Sequence, residues 1–355
     1  MLGAALILLA GCGTTSYLLQ AGHGQWQVLH QRKPIDKVVA DPATPRPLKD
    51  RLAEVEAARD FASRELHLPD NKSYRTYADL HRPYVVWNVV AVPEFSVTAK
   101  VWCFPIAGCV AYRGYFKEAS ARAFAAGLAK KGFDVAIDGV PAYSTLGKFA
   151  DPVLSTMMRY GDEDLAGIIF HELAHQLIYV KNDSAFNEAF ASTVEDVGLE
   201  RWLKFQGKPD NRQQQYEEAS ARERAYIELF AGARAQLAKL YGSGLPAAEM
   251  RAAKAQALAN LTSGIRDLER RQGVRAALYE EWINEGLNNA RLASLATYND
   301  CLPGFERVLQ EQDGDLPRFY EAVRGLAKLP RAERHAKLCR SPESSKQQTA
   351  QAAAP

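Results

Sequence analysis

Ile168-Ile169-Phe170-His171-Glu172-Leu173-Ala174-His175-Gln176-Leu177-Ile178 is the stretch on which the reading of this chain turns. Histidine aside, Glu172 is the one charged residue between Leu165 and Val180. A run this apolar, with no glycine or proline after Gly167, predicts a buried helix. His171 and His175 are four residues apart, so they stack on one face of that helix. Two imidazoles on one face can bind one zinc ion, and Glu172 can reach a water on the same metal. The alternative is a pair of core histidines hydrogen-bonded to backbone. It leaves Glu172 as a buried carboxylate with no stated partner, a costly arrangement.

A catalytic zinc takes three protein ligands and keeps one position open for water. The chain continues Asn182-Asp183-Ser184-Ala185-Phe186-Asn187-Glu188-Ala189-Phe190-Ala191-Ser192-Thr193-Val194-Glu195. Asn182, Asp183 and Ser184 offer a turn and an N-cap for a second helix. Glu188 falls one turn into it, and the short loop makes the two helices antiparallel. Its carboxylate completes a His171, His175, Glu188 set. Glu195 lies two turns further along the same face and fits a second-shell role, hydrogen-bonded to a ligand histidine. Each glutamate also has an ordinary reading as a helix-surface residue.

These residues carry a resemblance. Asn187-Glu188-Ala189-Phe190-Ala191 resembles the N-E-x-F-A signature of gluzincins such as alanyl aminopeptidase, and His171 to Gln176 resembles their H-E-L-A-H-Q. The resemblance implies Glu188 as third zinc ligand. One departure is the spacing: those enzymes have eighteen residues between the second histidine and the glutamate, and this chain has twelve. Glu195 stands near the common spacing and competes for the role, but the Asn-Glu-x-Phe-Ala context surrounds Glu188. A wider similarity covers Arg82 to Ala91, Trp102 to Cys109 and Val140 to Gly147. These segments resemble a family of Gram-negative lipoproteins named as zinc aminopeptidases.

The implied mechanism is metal-assisted peptide hydrolysis. Zinc brings the pKa of its water to about 7, and Glu172 is the general base that later returns the proton to the leaving amine. The tetrahedral oxyanion needs a further donor. Gluzincins use a tyrosine or histidine there, and Tyr143, Tyr226, Tyr279 and Tyr298 are candidates. Tyr298 is preferred because it lies in the helical half, just before a polar turn. Phe133, Val135 and Ile137 alternate with Asp134, Ala136 and Asp138, a strand pattern that Val140 to Thr145 continues. In gluzincins the corresponding edge strand pairs with extended substrate. The aminopeptidases carry an amine-binding glutamate in this region, and no glutamate lies between Gly132 and Gly161 here. Asp134, Asp138 and Glu195 are the possible substitutes.

With 355 residues, 47% of them hydrophobic, the chain is long enough for a sizeable core. A formal net charge of +2 gives no case for nucleic-acid binding. Residues 1–11 are almost wholly apolar, and Leu9-Ala10-Gly11-Cys12 resembles a bacterial lipobox. That resemblance implies a signal peptide over 1–12, a lipid anchor on Cys12, and an outer-membrane location facing the periplasm. Four cysteines remain. Cys103 and Cys109 bracket a hairpin turn, and Cys301 with Cys339 pins the C-terminal segment. In an exported chain, disulfides are favoured over a cysteine metal site.

The expected architecture is α+β: a signal peptide 1–12, a single catalytic unit 13–340 (mixed 46–160, helical 161–340) and a disordered tail 341–355. Helices are expected around Tyr17–Arg32, Leu48–Leu66, Lys117–Lys131, Gln213–Tyr241 and Ala247–Arg271, with strands from Tyr74 to Tyr115. Three functions are carried forward: a zinc aminopeptidase, a zinc endopeptidase, and a non-catalytic lipoprotein with structural zinc. The substrate in the first two is a peptide.

Overall fold

The structure, a computed structural model, describes residues 3–104, 108–207, 210–273 and 279–340; the side chains of 3–14 and 210–213 are outside the description. In chain order the elements are α1 (Gly3–Gln31), β1 (Lys33–Pro34), α2 (Ile35–Ala40), α3 (Arg46–Arg64), β2 (Thr76–Ala78), β3 (Val86–Pro93), β4 (Trp102–Phe104), β5 (Gly108–Val110), β6 (Arg113–Tyr115), α4 (Glu118–Ala129), β7 (Phe133–Val140), β8 (Val153–Leu154), α5 (Asp162–Leu177), α6 (Ser184–Phe205), α7 (Asp210–Tyr241), α8 (Ala247–Gln272), α9 (Glu280–Glu285), α10 (Asn289–Asn299), α11 (Leu302–Glu311), α12 (Leu316–Ala327) and α13 (Arg331–Leu338). The fold is α+β, with short strands in the first half and helices thereafter. Among the described residues, no helix is long and apolar enough to cross a membrane.

The chain divides into two compact units. The first is Met1–Val89, Arg113–Phe124 and Ile137–Leu177. Its three-stranded sheet, in the order β1-β2-β8, joins β2 and β8 in parallel through Tyr77↔Val153 and Ala78↔Leu154. In a second sheet β3 pairs antiparallel with β6 through Trp87↔Tyr115, Asn88↔Gly114 and Val89↔Arg113. Helix α3 carries an amphipathic stripe: Leu52, Val55, Ala58 and Phe61 are buried. It meets α5 through Phe61 and Phe170, whose ring centroids are 6.0 Å apart. On α1, Tyr17 meets Tyr115 edge-on at 5.5 Å, and the Arg113 guanidinium lies 4.1 Å from the Tyr17 ring.

The second unit is Val90–Tyr112, Ala125–Ala136 and Ile178–Pro355. Here α7 and α8, over the two expected helices, pack on each other around Phe230, Leu237, Leu261 and Ile265. Phe186 and Phe190 on α6 are fully buried and meet Phe305 of α11 at 5.0 and 6.0 Å. Gly304 allows α11 to approach α13, because a Cβ there would collide with the Leu338 backbone. Both expected disulfides are present, Cys103–Cys109 and Cys301–Cys339. The first crosses the β4–β5 hairpin, where the two cysteines are directly opposite. The turn residues 105–107 and the expected tail 341–355 lie outside the described residues.

One local expectation is corrected. The strand after Gly132 does not continue to Thr145; β7 ends at Val140. Pro141 follows and has no N–H for a ladder. The chain then turns, with Leu146 and Gly147 both at positive φ.

Candidate metal centre

Helix α5 opens with Asp162, Glu163 and Asp164, acids that suit the positive end of a helix dipole. Leu165, Ile169, Phe170, Leu173 and Ala174 are at most 1% exposed, so the helix is buried along most of its surface. That burial fixes the rotation of the helix, and with it the places of His171, Glu172 and His175 on its surface. Glu172 and His175 are each 8% exposed. The two imidazoles meet edge to face, and their Nε2 atoms are 3.2 Å apart.

After α5 the chain is folded back by its own polar side chains. Asn187 Oδ1 accepts from the Val180 N–H at 2.7 Å, and Asn187 Nδ2 donates to the Val180 carbonyl at 2.8 Å. Asn182 adopts φ +69°, a left-handed conformation that asparagine tolerates. Asp183 is the N-cap and accepts from the Phe186 N–H. Within this run, His171, His175 and Glu188 each offer one ligand atom, and these atoms lie within 4.8 Å of one another. Glu195 is not in that group; its charge acts on Asp196, which burial first and Glu195 second push up to about 7.

The donor set fits a metal. Two zinc-bound imidazole nitrogens at about 2.05 Å in a tetrahedron stand about 3.3 Å apart, and the Nε2 pair is at 3.2 Å. Two imidazoles and a carboxylate are also ligand types that zinc accepts.

The end of α5 is tied to a loop of its own unit. Gln176 Oε1 accepts from Asn71 Nδ2 at 2.8 Å, and Gln176 Nε2 donates to Ser73 Oγ at 3.3 Å. The loop is held by Arg59, a fully buried cation that donates to the carbonyls of Ser73, Pro69 and Asn71 and to Ser63 Oγ. Tyr74 follows at φ +62°, its N–H bonded to the Asp151 carbonyl at 2.6 Å. The Tyr74 hydroxyl is buried with no hydrogen-bond partner among the described residues. Burial raises its pKa well above the usual phenol value, and the negative charges of Glu172 and Asp151 add to that. Tyr143, which donates to Gln25 Oε1, is raised by burial, then by Asp151 and Glu172, with Arg82 opposing. Asp151 is 3% exposed and accepts from Thr145 N–H and Oγ1. Burial lifts its pKa to about 6, against those two hydrogen bonds.

A model of the family described as "Putative aminopeptidase" matches residues 16–338. The chain belongs to that family. No curated protein and no solved structure matches it.

Sequence reading marked Glu172 and all three members of the metal group, but not their surroundings. Tyr74 and Asp151 were not singled out, and the Tyr74 N–H to Asp151 carbonyl bond spans 77 residues of chain. Tyr179, beside the metal run, was also missed; burial raises its pKa and Glu188 adds to the shift. Tyr298 lies on α10 and is 37% exposed. Asp134 is committed elsewhere: it accepts from Lys254 Nζ at 2.7 Å and from the Asn289 N–H at 2.9 Å. The side chain of Cys12 is outside those described.

Proposed function

We propose that this family member is a zinc-dependent peptide hydrolase, an aminopeptidase by its family's description, with His171, His175 and Glu188 as metal ligands and Glu172 as general base. The observation that carries the reading is the His171, His175, Glu188 group with Glu172 on the same helix. A structural zinc site is closed by four protein ligands and has no use for a neighbouring base. When bound, zinc supplies Lewis-acid polarisation of a carbonyl and brings the pKa of water to about 7.

The residues around Glu172 are suited to proton transfer. Tyr74 and Tyr143, both raised by burial and by the Glu172 charge, keep their protons across the neutral range. It accepts a proton on a carboxylate oxygen and returns it to the leaving nitrogen. Tyr298 is proposed as the oxyanion donor, and Tyr74 and Tyr143 are its rivals because both phenols feel the Glu172 charge. Replacing each with phenylalanine sorts the three: loss of an oxyanion donor lowers kcat about 10²- to 10³-fold.

Endopeptidase action is the second reading. It is favoured by the engagement of Asp134 with Lys254 and Asn289, which leaves Asp138 and Glu195 as candidates to bind a substrate amine. We further propose export as a lipoprotein anchored through Cys12 at the periplasmic face of the outer membrane; the Leu9-Ala10-Gly11-Cys12 sequence and the two disulfides support it.

The test is hydrolysis of matched peptides with free and acetylated N-termini by zinc-loaded wild type and Glu172→Gln. The reading expects cleavage by wild type of the free-amine series and loss of at least about 10²-fold in the variant. Cleavage of acetylated peptides shifts the assignment to endopeptidase. No cleavage of either series overturns the enzyme reading.

A further inference from the structure

A cavity of about 410 Å³ opens beside the first turn of α6. It is within the size range of small-molecule sites. Three arginines and a histidine line it, Arg234, Arg331, Arg340 and His335, against one acid, Asp300. Their commitments differ. Arg234 holds Asp300 at 2.7 Å, yet its buried Nε has no hydrogen-bond partner among the described residues. Arg340 reaches Glu228, an acid with 58% side-chain exposure. His335 meets Asp183 Oδ1 at 2.7 Å, but Arg331 stands 3.9 Å from the same oxygen with its side chain 64% exposed. Arg331 and the Arg234 Nε therefore have donor capacity unspent within the wall. Arginine donors in a partly desolvated recess select for carboxylates.

The walls are cross-linked. Cys109, Cys301 and Cys339 line the cavity, so both disulfides brace it. The Cys109 N–H donates to Asn182 Oδ1 at 2.7 Å, which ties the hairpin to the link before α6. Ser184 and Ala185 also line it. They are four and three residues before Glu188, on the same helix face and about 4.5–6 Å along the axis. First-turn N–H groups add positive potential there.

We propose that this cavity is a carboxylate-binding subsite that receives the free acid end of a short peptide whose scissile bond lies at Glu188. The inference rests on the peptidase reading given above. An extended residue spans about 3.3 Å, so the distance along α6 corresponds to one or two residues beyond the cleaved bond. The substrate class is then di- and tripeptides with a free carboxylate, in preference to long or amidated chains.

The experiment is calorimetric titration of the full zinc-loaded chain carrying Glu172→Gln with trialanine, trialanine amide and Ala-Ala-Glu amide. The same titrations are run on Arg331→Ala and Arg331→Lys in that background. Charge-assisted hydrogen bonding leads us to expect trialanine to bind about tenfold or more tighter than its amide. Arg331→Ala should reduce that ratio to near one, and Arg331→Lys should restore part of it. Binding of the acid directly to zinc would leave the ratio independent of residue 331. Tight binding of Ala-Ala-Glu amide extends the site to side-chain carboxylates; weak binding restricts it to the chain terminus. Equal affinities for acid and amide, or a ratio that survives Arg331→Ala, overturn the proposal. Hydrolysis of the same peptides by the wild type separates the two claims. Cleavage without the acid preference sinks the subsite alone, and the preference without cleavage sinks the peptidase reading alone.

Discussion

Two buried aspartates, Asp151 and Asp183, stand before the two helices of the candidate metal centre, and they are built in opposite ways. Asp151 belongs to the unit of α5. Its carboxylate accepts from the Thr145 amide and hydroxyl, and burial lifts it to about 6. Asp183 caps α6. Burial pushes it up as well, but His335 and Arg334 outweigh that and hold it below the usual carboxylate range. Arg334 grips Asp183 Oδ2 through Nε at 2.9 Å and Nη2 at 2.7 Å. The difference shows two ways of positioning a helix. Near α5, the charge of Glu172 acts on Tyr74 and Tyr143, two phenols whose pKa burial raises. The start of α6 is fixed by charge, one turn before Glu188.

The sharpest way to break the comparison is to remove Asp183. Asp183→Ala leaves Arg334, with 5% side-chain exposure, as an uncompensated buried charge and removes a cap. The expected loss is about 3–5 kcal/mol in urea unfolding; a loss under about 1 kcal/mol would mean that charge does not fix α6. Next comes the disulfide that closes α13 onto this region. Cys301 and Cys339 are 38 residues apart in sequence, and Cys103 and Cys109 are 6 apart. Loop entropy gives roughly 4 and roughly 2 kcal/mol for the respective double serine variants, read as a difference in urea midpoint. Equal effects would contradict that ranking.

A pH dependence of comparable size to the shorter disulfide's effect comes next, and its sign follows from the shifts. Asp151 has a folded pKa above its unfolded one. Its contribution is fully present below about 3.8 and is lost as pH rises through about 6. Relative to Asp151→Asn, the wild type should therefore lose roughly 2–3 kcal/mol between pH 4 and 7. Asp183, depressed, behaves oppositely: its contribution is present at neutral pH and is lost as pH falls through its folded pKa, below 3.8. A wild-type stability that tracks Asp151→Asn at every pH would contradict the assignment.

How much of this was legible in the sequence depends on the range of the interaction. His171, Glu172, His175 and Glu188 were legible because their chemistry requires fixed spacing on helices; the cap of α6 was legible only as one of Asn182, Asp183 and Ser184, and the structure gives it to Asp183. The cysteine pairs followed from an even count and their positions. The strand after Gly132 was legible from alternation, but its end at Pro141 was overrun because alternation persisted past the proline. Tyr74, Asp151 and Arg59 were not legible. Arg59 reads as one more helix arginine until the loop at Pro69–Ser73 wraps its guanidinium in carbonyls. Arg334 was hidden for the same reason, being 151 residues from the aspartate it holds.

The most direct test of the central claim is zinc affinity, measured by competition with a chromophoric chelator, for wild type, Glu172→Gln, Glu188→Ala and Glu195→Ala. The account predicts one zinc per chain in the wild type, unchanged affinity in Glu172→Gln, and a loss of about 10²-fold or more in Glu188→Ala. Glu195→Ala, altered at most outside the ligand set, loses no more than about tenfold. Wild-type affinity in Glu188→Ala, or a loss that follows Glu195 instead, would contradict it.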